Sequence, residues 1–275
     1  MIQQIDDLRA EAAELHRFLT LLRPGDWSRA TQFKAWTFDD ILRHLHIGDI
    51  MALTSASSAG AFAELMADIR REREKSPSRV EEARRRLNGL GGPALLERWR
   101  GMLEKLCDTL SAKPPETRLA WAGPDMGLRM FTTARQMETW SHAQAIYDVM
   151  GVERPPPAPR LRNVAEIGVR TFGWAYRNRG LAVPPLAPSI RLSTPFGETW
   201  EWKASDSDSV EGDAVSFCQI ATQTRNVADT SLVVRGETAK QWMTIIQCFA
   251  GQPETPPSPG TRYRSKASSA PAPSP

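Results

Sequence analysis

The chain has 275 residues and a formal net charge of +3, long for one domain and comfortable for two. An apolar fraction of 41% beside a charged fraction of 24% is that of a globular protein, and no apolar run approaches the roughly 20 residues that cross a bilayer. Cys107, Cys218 and Cys248 are odd in number, lie in apolar stretches and form no CxxC, which argues against a disulfide framework and a cysteine zinc site.

The opening stretch "MIQQIDDLRAEAAELHRFLTLL" carries acids where a secretory leader carries bases, so a cytoplasmic protein is expected. Within it Ile5, Leu8, Ala12, Leu15, Leu19 and Leu22 recur at three- and four-residue spacing and predict an amphipathic helix. A loop, "RPGDWSRATQFKA", follows. Thr37 with Asp40 three residues on then predicts the reciprocally capped start of a second helix. Further helices are expected at 60–75, 79–89 and 93–112, the last ended by Pro114-Pro115. Residues 70–86 hold eight Arg or Lys against four Glu; the mixed signs read as solvated, ion-paired helices broken at Ser76-Pro77, and no nucleic-acid partner is expected. "RLAWAGPDMGLRM" reads as a loop before a helix at 131–150. Residues 1–151 thus predict an up-and-down helical bundle.

Residues 152–159, "VERPPPAP", are expected to be a stiff linker. The stretch 160–251 predicts a small α+β domain: a helix ending at Gly180, two strands in "SIRLSTPFGETWEWKA", a helix from "AVSFCQIATQTRN", a strand in "TSLVVRG" and a closing helix from "TAKQWMTIIQCFAG". Seven prolines and almost nothing apolar in 252–275 predict a disordered tail.

Chemistry concentrates in "ARQMETWSHAQAIYDVMG". Glu138 and His142 lie four apart on the helix, so they share a face and could grip one ion. The third ligand would be His16, His44 or His46; His44 and His46, two apart, face different ways. On these residues alone an ordinary amphipathic helix remains the competing reading. Trp36, Trp121 and Trp140 flank the candidates, as pocket walls or as core.

The stretch "AWTFDDILRHLHIGD" resembles the W-T-x-x-D-I/V-x-x-H-L element of the mycothiol-dependent maleylpyruvate isomerase family, a branch of the DinB-like metal-binding bundles. "AWAGPDM" followed by "ARQMETWSH" resembles its W-x-G…R-x-x-E-x-x-x-H element, and the region from "VEGDAVSFCQ" to "QCFAG" is similar to the C-terminal domain of that family and of wyosine-base-formation-like proteins. The resemblance runs over most of residues 5–251 and looks closest to an uncharacterised metal-binding subgroup. It implies a DinB-like four-helix bundle followed by a small α+β domain, with His44, Glu138 and His142 as ligands of a divalent metal. Zinc is the first expectation, and nickel or iron suit the same donors. Three ligands leave one position open, where a low-molecular-weight thiol, mycothiol or glutathione, is activated. In the family reaction the thiolate adds to an activated cis double bond, rotation follows, and elimination releases the trans isomer. Arg225 matches a frequent family Arg and is the expected grip on a substrate carboxylate, with a surface Arg near a turn as the bland reading. The chain departs from the pattern at Ala145, where relatives often carry an Asp that orients the ligating histidine; Gln144 and Asp148 are the nearest replacements. Asp40 could orient His44 or simply cap its helix. A thiol-dependent isomerase or transferase acting on a small electrophilic carboxylate is therefore expected, with no membrane partner and oligomeric state open. A non-catalytic metal- or ligand-binding protein is the second reading.

Overall fold

In the computed structural model, which describes residues 2–155 and 159–266, helices dominate the first half and a small sheet enters in the second. Helix α1 (Gln3–Leu19) buries Ile5, Leu8, Ala12, Leu15 and Leu19, the stripe its spacing predicts. Helix α2 (Phe38–Ser57) starts at Thr37, whose hydroxyl accepts from the Asp40 amide while the Asp40 carboxylate accepts from the Thr37 amide. Helices α3 (Ala59–Glu74) and α4 (Arg79–Arg86) are capped by the hydroxyls of Ser58 and Ser78. Helices α5 (Gly92–Ser111) and α6 (Leu128–Met150) follow; between them the expected loop contains a short antiparallel pair, β1 (Arg118–Leu119) and β2 (Met126–Gly127). Gly151 closes α6 at φ 67°, a left-handed conformation that glycine adopts without a Cβ clash.

Helices α1 and α2 each pack against both α5 and α6, giving the four-helix bundle, while α3 and α4 lie on the α2 side. No described helix is long and apolar enough to cross a membrane.

The second half begins with α7 (Leu161–Arg170) and α8 (Phe172–Arg177), which the sequence pattern reads as one helix. Thr171 interrupts it: its backbone leaves the helical region, and its hydroxyl donates to the Ile167 carbonyl at 2.7 Å. The predicted hairpin is β3 (Ser189–Ser193) with β4 (Thr199–Trp202). A strand not foreseen, β5 (Ser209–Asp213), runs parallel to β3; its sequence SVEGD offers one apolar side chain, Val210, which is fully buried. Helix α9 (Ala214–Ala221), strand β6 (Val233–Arg235) and helix α10 (Glu237–Ile245) complete the chain order, and the sheet runs β4-β3-β5-β6.

Helix α6 serves two cores. Leu128, Phe131, Ala143, Ile146 and Tyr147 belong to the bundle core, whereas Met137 and Trp140 belong to the core built by α7 to α10 and the sheet. Of the expected linker, residues 156–158 lie outside the described residues; ahead of them Arg154 pairs with Glu11 and Glu14. The expectation of a disordered tail is corrected for 252–266, which run as coil bonded to both halves. Tyr263 donates its amide to Gln32 (2.7 Å), Asn226 donates to the Pro257 carbonyl (2.7 Å), and Ser265 donates its amide to the Asp148 carbonyl (2.8 Å). Residues 267–275 of that tail lie outside the described residues.

Candidate metal centre

One turn of α6 separates Glu138 from His142, and α2 brings His44 to the same point. The His44 Nε2 and Glu138 Oε2 atoms are 3.1 Å apart, the His142 Nε2 and Glu138 Oε2 atoms 3.4 Å, and one donor atom from each of the three residues lies within 4.8 Å of the others. Ligand atoms about 2.0–2.1 Å from a tetrahedral ion sit about 3.3 Å apart, so these separations fit a single small divalent cation. A buried ion pair holds the two helices in place: Arg135, one turn ahead of Glu138, donates to Asp49 of α2 at 2.9 Å, and Trp99 donates to the same carboxylate at 2.9 Å. Gly48 makes room for it, because a Cβ there would lie 2.7 Å from an Arg135 guanidinium nitrogen.

The protonation states favour ligation. Burial alone would raise the Glu138 carboxyl, yet hydrogen bonds from His142 and His44 hold it well below the usual carboxylate range. Burial, with the neighbouring His44, pushes His142 down to about 4, so its imidazole is neutral, the form that binds metal. The ring of His142 is clamped between aromatics: Trp36 stacks parallel to it at 6.1 Å, and Phe33 meets it edge-on at 5.0 Å. Both come from the loop before α2, where Lys34 and Ala35 take consecutive left-handed conformations (φ 54° and 55°) that are costly for residues with a Cβ.

The three residues form part of the wall of a cavity of about 110 Å³, with Trp36, Ser141 and Ala145 also lining it. The other candidates lie elsewhere. His16 pairs with Glu97 at 3.0 Å near the surface, and His46 is wholly buried with neither ring nitrogen bonded among the described residues. Asp40 serves the helix cap and accepts from Arg43 and Arg84 at 3.0 and 2.9 Å, so it does not orient His44. Trp121 packs between Phe62 and Phe131, and Trp140 is core. Neither Gln144 nor Asp148 reaches His142; Gln144 donates to Asp148.

Arg225, the expected grip on a substrate carboxylate, is engaged within the fold. Both of its terminal nitrogens donate to Asp148 at 2.7 Å, and it lies outside the lining of this cavity. A bidentate pair with a buried carboxylate occupies the fork that would grip a substrate. Sequence reasoning also missed Phe33, Lys34, Glu254 and Arg262, all of which line the cavity. The basic and aromatic run Arg262-Tyr263-Arg264, set in a proline- and serine-rich tract, was the one available signal.

A helical bundle with two imidazoles and a carboxylate converging at a cavity, joined to a small α+β half, defines a class of bundle proteins able to hold a metal. The comparisons are specific about the family. Residues 8–147 match the family described as the mycothiol maleylpyruvate isomerase N-terminal domain. The chain is 36% identical over 251 residues to two uncharacterized proteins of Mycobacterium tuberculosis, one from strain CDC 1551 / Oshkosh and one from a second strain, covering 90% of this chain and 96% of each relative. Crystal structures of mycothiol-dependent maleylpyruvate isomerase and of a single-site mutant of it share the fold, with a TM-score of 0.50, 16% and 15% identity, and coverage of 80% of this chain and 88% of theirs. The chain belongs to the mycothiol maleylpyruvate isomerase family.

Proposed function

We propose that the chain is a divalent-metal protein of the maleylpyruvate isomerase type, working in the cytoplasm as a thiol-dependent isomerase or thiol transferase on a small electrophilic carboxylate. The convergence of His44, Glu138 and His142 at one cavity wall, in a chain of this family, carries the reading. The two imidazoles and the carboxylate would hold the metal, zinc first and nickel or iron as alternatives. A metal held there would lower the pKa of a thiol or water bound to it and so would supply a nucleophile near neutral pH.

The chain's own residues narrow the chemistry. Phe33 and Trp36 pack against the ring of His142 and line the cavity with aromatic surface. The cavity's other carboxylates are committed, Asp148 to Arg225 and Glu254 to Lys34 at 2.8 Å. No free carboxylate base therefore stands ready to activate a water among the described lining residues, which favours thiol addition over hydrolysis. The protein does not supply that thiol. Burial pushes Cys107 up to about 12, and it raises Cys218 and Cys248 as well. A small-molecule thiol, mycothiol or glutathione, is the co-reactant this leaves.

Metal content of native purified protein, measured by mass spectrometry beside His142→Ala, tests the centre. One equivalent in the wild type, lost in the variant, is expected; a wild type that stays metal-free after incubation with zinc refutes it. Assays of cis-enoic acids with mycothiol and glutathione then test the chemistry. A loaded protein indifferent to both thiols would be a metal-binding protein without this activity.

A further inference from the structure

Charge accounting around the cavity leaves two cations unspent, Arg79 and Arg262, among the described residues. Three carboxylates line it, Glu138, Asp148 and Glu254, and three cations, Lys34, Arg79 and Arg262. Asp148 is neutralised by Arg225, Glu254 by Lys34, and Glu138 lies against the two histidines. Arg79 is exposed, whereas Arg262 is half-buried and has no carboxylate within 4 Å among the described residues. Its guanidinium donates to the Gln223 carbonyl and lies 5.1 Å over the ring of Phe33, the same ring that meets His142 edge-on. Burial lowers its pKa, and the opposing pull of Glu254 and Asp148 does not offset it. A guanidinium carries five donors, and a single described hydrogen bond leaves most of them for a ligand.

We infer that Arg262 holds the carboxylate of the ligand in this cavity, and that the strap formed by residues 252–266 is part of the binding site. The inference rests on reading the cavity as a substrate site. Arg225 does not compete for the role: swinging it to a ligand would strand Asp148, 3% exposed, with Gln144 as its remaining side-chain partner. Arg262 can engage an anion at no such cost. The strap is fixed on both sides of it, by the Asn226 bond to Pro257 and by the Tyr263 and Ser265 amides, so the guanidinium is presented to the cavity and does not trail in solvent. The ligand class follows: a small carboxylate whose reactive end reaches the histidines while its charged end meets Arg262.

Calorimetric titration of maleate into the full-length protein tests this, using wild type, Arg262→Met and Arg262→Lys, each with and without one equivalent of zinc and with metal content measured in parallel. Loss of a charge-assisted bond to a carboxylate predicts affinity weakened roughly tenfold or more in Arg262→Met, with Arg262→Lys in between. The wild-type affinity should also fall more steeply with added salt than that of Arg262→Met. Equal affinity in wild type and Arg262→Met overturns the inference, as does failure of the wild type to bind maleate in either form. Equal salt dependence also overturns it, since the residue would then act only by seating the strap. A wild type that takes up no zinc refutes the metal reading alone; Arg262 is then judged on the zinc-free titration. Should Arg262→Met fail to fold, the same comparisons apply to Arg262→Lys, with an intermediate loss expected.

Discussion

Arg135→Met removes the cation that locks α6 to α2 just ahead of the candidate ligands. Arg135 is 3% exposed and Asp49 is fully buried, so neither charge has recourse to water. The variant leaves Asp49 with the Trp99 indole as its one described side-chain donor. Stranding one member of a buried pair costs about 3–5 kcal/mol, which for a chain of this size lowers the thermal midpoint by roughly 10 °C. The pH dependence has a definite sign. Burial already holds the Asp49 carboxyl above its ordinary value despite Arg135. A carboxyl raised in the folded state contributes most at low pH, and that contribution is lost as pH climbs from its unfolded value through the folded one. Without Arg135 the folded value rises further, so the deficit should be smaller at pH 5 than at pH 8. Adding Asp49→Asn, which keeps an acceptor for Trp99 and removes the charge, should recover more than half of the loss. Gly48→Ala attacks the same pair from the other side by driving a methyl group to 2.7 Å from the guanidinium, at a cost of about 1–3 kcal/mol. Urea unfolding followed by circular dichroism measures all three variants beside the wild type. A loss below about 1 kcal/mol in Arg135→Met, or a deficit independent of pH, would refute the claim that this pair is buried and coupled.

Burial and the nearby Arg98 push His46 from 6.5 to about 4, so it is neutral in the fold; its stabilising contribution is complete above pH 6.5 and is lost as pH falls toward 4, by about 3 kcal/mol. His46→Leu should flatten that acid limb in unfolding titrations, and at pH 7 should leave stability unchanged or raise it by about 1 kcal/mol, because two unpartnered nitrogens are removed. Gly168→Ala places a Cβ 2.9 Å from Ala221 Cβ and 3.0 Å from the Phe217 ring, where α7 meets α9, and should cost about 1–3 kcal/mol by thermal melt. Chelation of a loaded protein should lower its melting point by the linkage amount, about 2.7 kcal/mol at a hundredfold excess of metal over Kd, with no loss of helical signal.

Local pattern was enough for α1, whose apolar stripe reads directly, and for the start of α2, whose Thr37 and Asp40 cap each other within three residues. It was not enough where the cause is distant. Strand β5 has one apolar side chain and exists because β3 and β6 pair with it on either side. The strap at 252–266 has too little apolar surface to predict its path; side chains and carbonyls of Gln32, Asn226 and Asp148 hold it. The candidate site divides the same way. His44, Glu138 and His142 could be proposed from spacing and family resemblance, and the fold brings the three side chains together. The partner of Arg225 was not legible, because a residue's partner is a three-dimensional fact: Asp148, 77 positions away, accepts from it.

The double burial of α6 explains why the site sits where it does. A helix packed into one core by Phe131, Ile146 and Tyr147 and into another by Met137 and Trp140 has little water-facing surface on which to place charge. Arg135, Glu138 and His142 therefore have to find partners across the narrow seam toward α2, and they do, in Asp49 and His44. The result is a carboxylate and two imidazoles gathered at one point, since Glu138 already accepts from His44 and lies 3.4 Å from His142. Pre-forming the donors in this way removes much of the ordering cost of capturing a cation. The loop carrying Phe33 and Trp36 and the strap carrying Arg262 line the same cavity as the three candidate ligands.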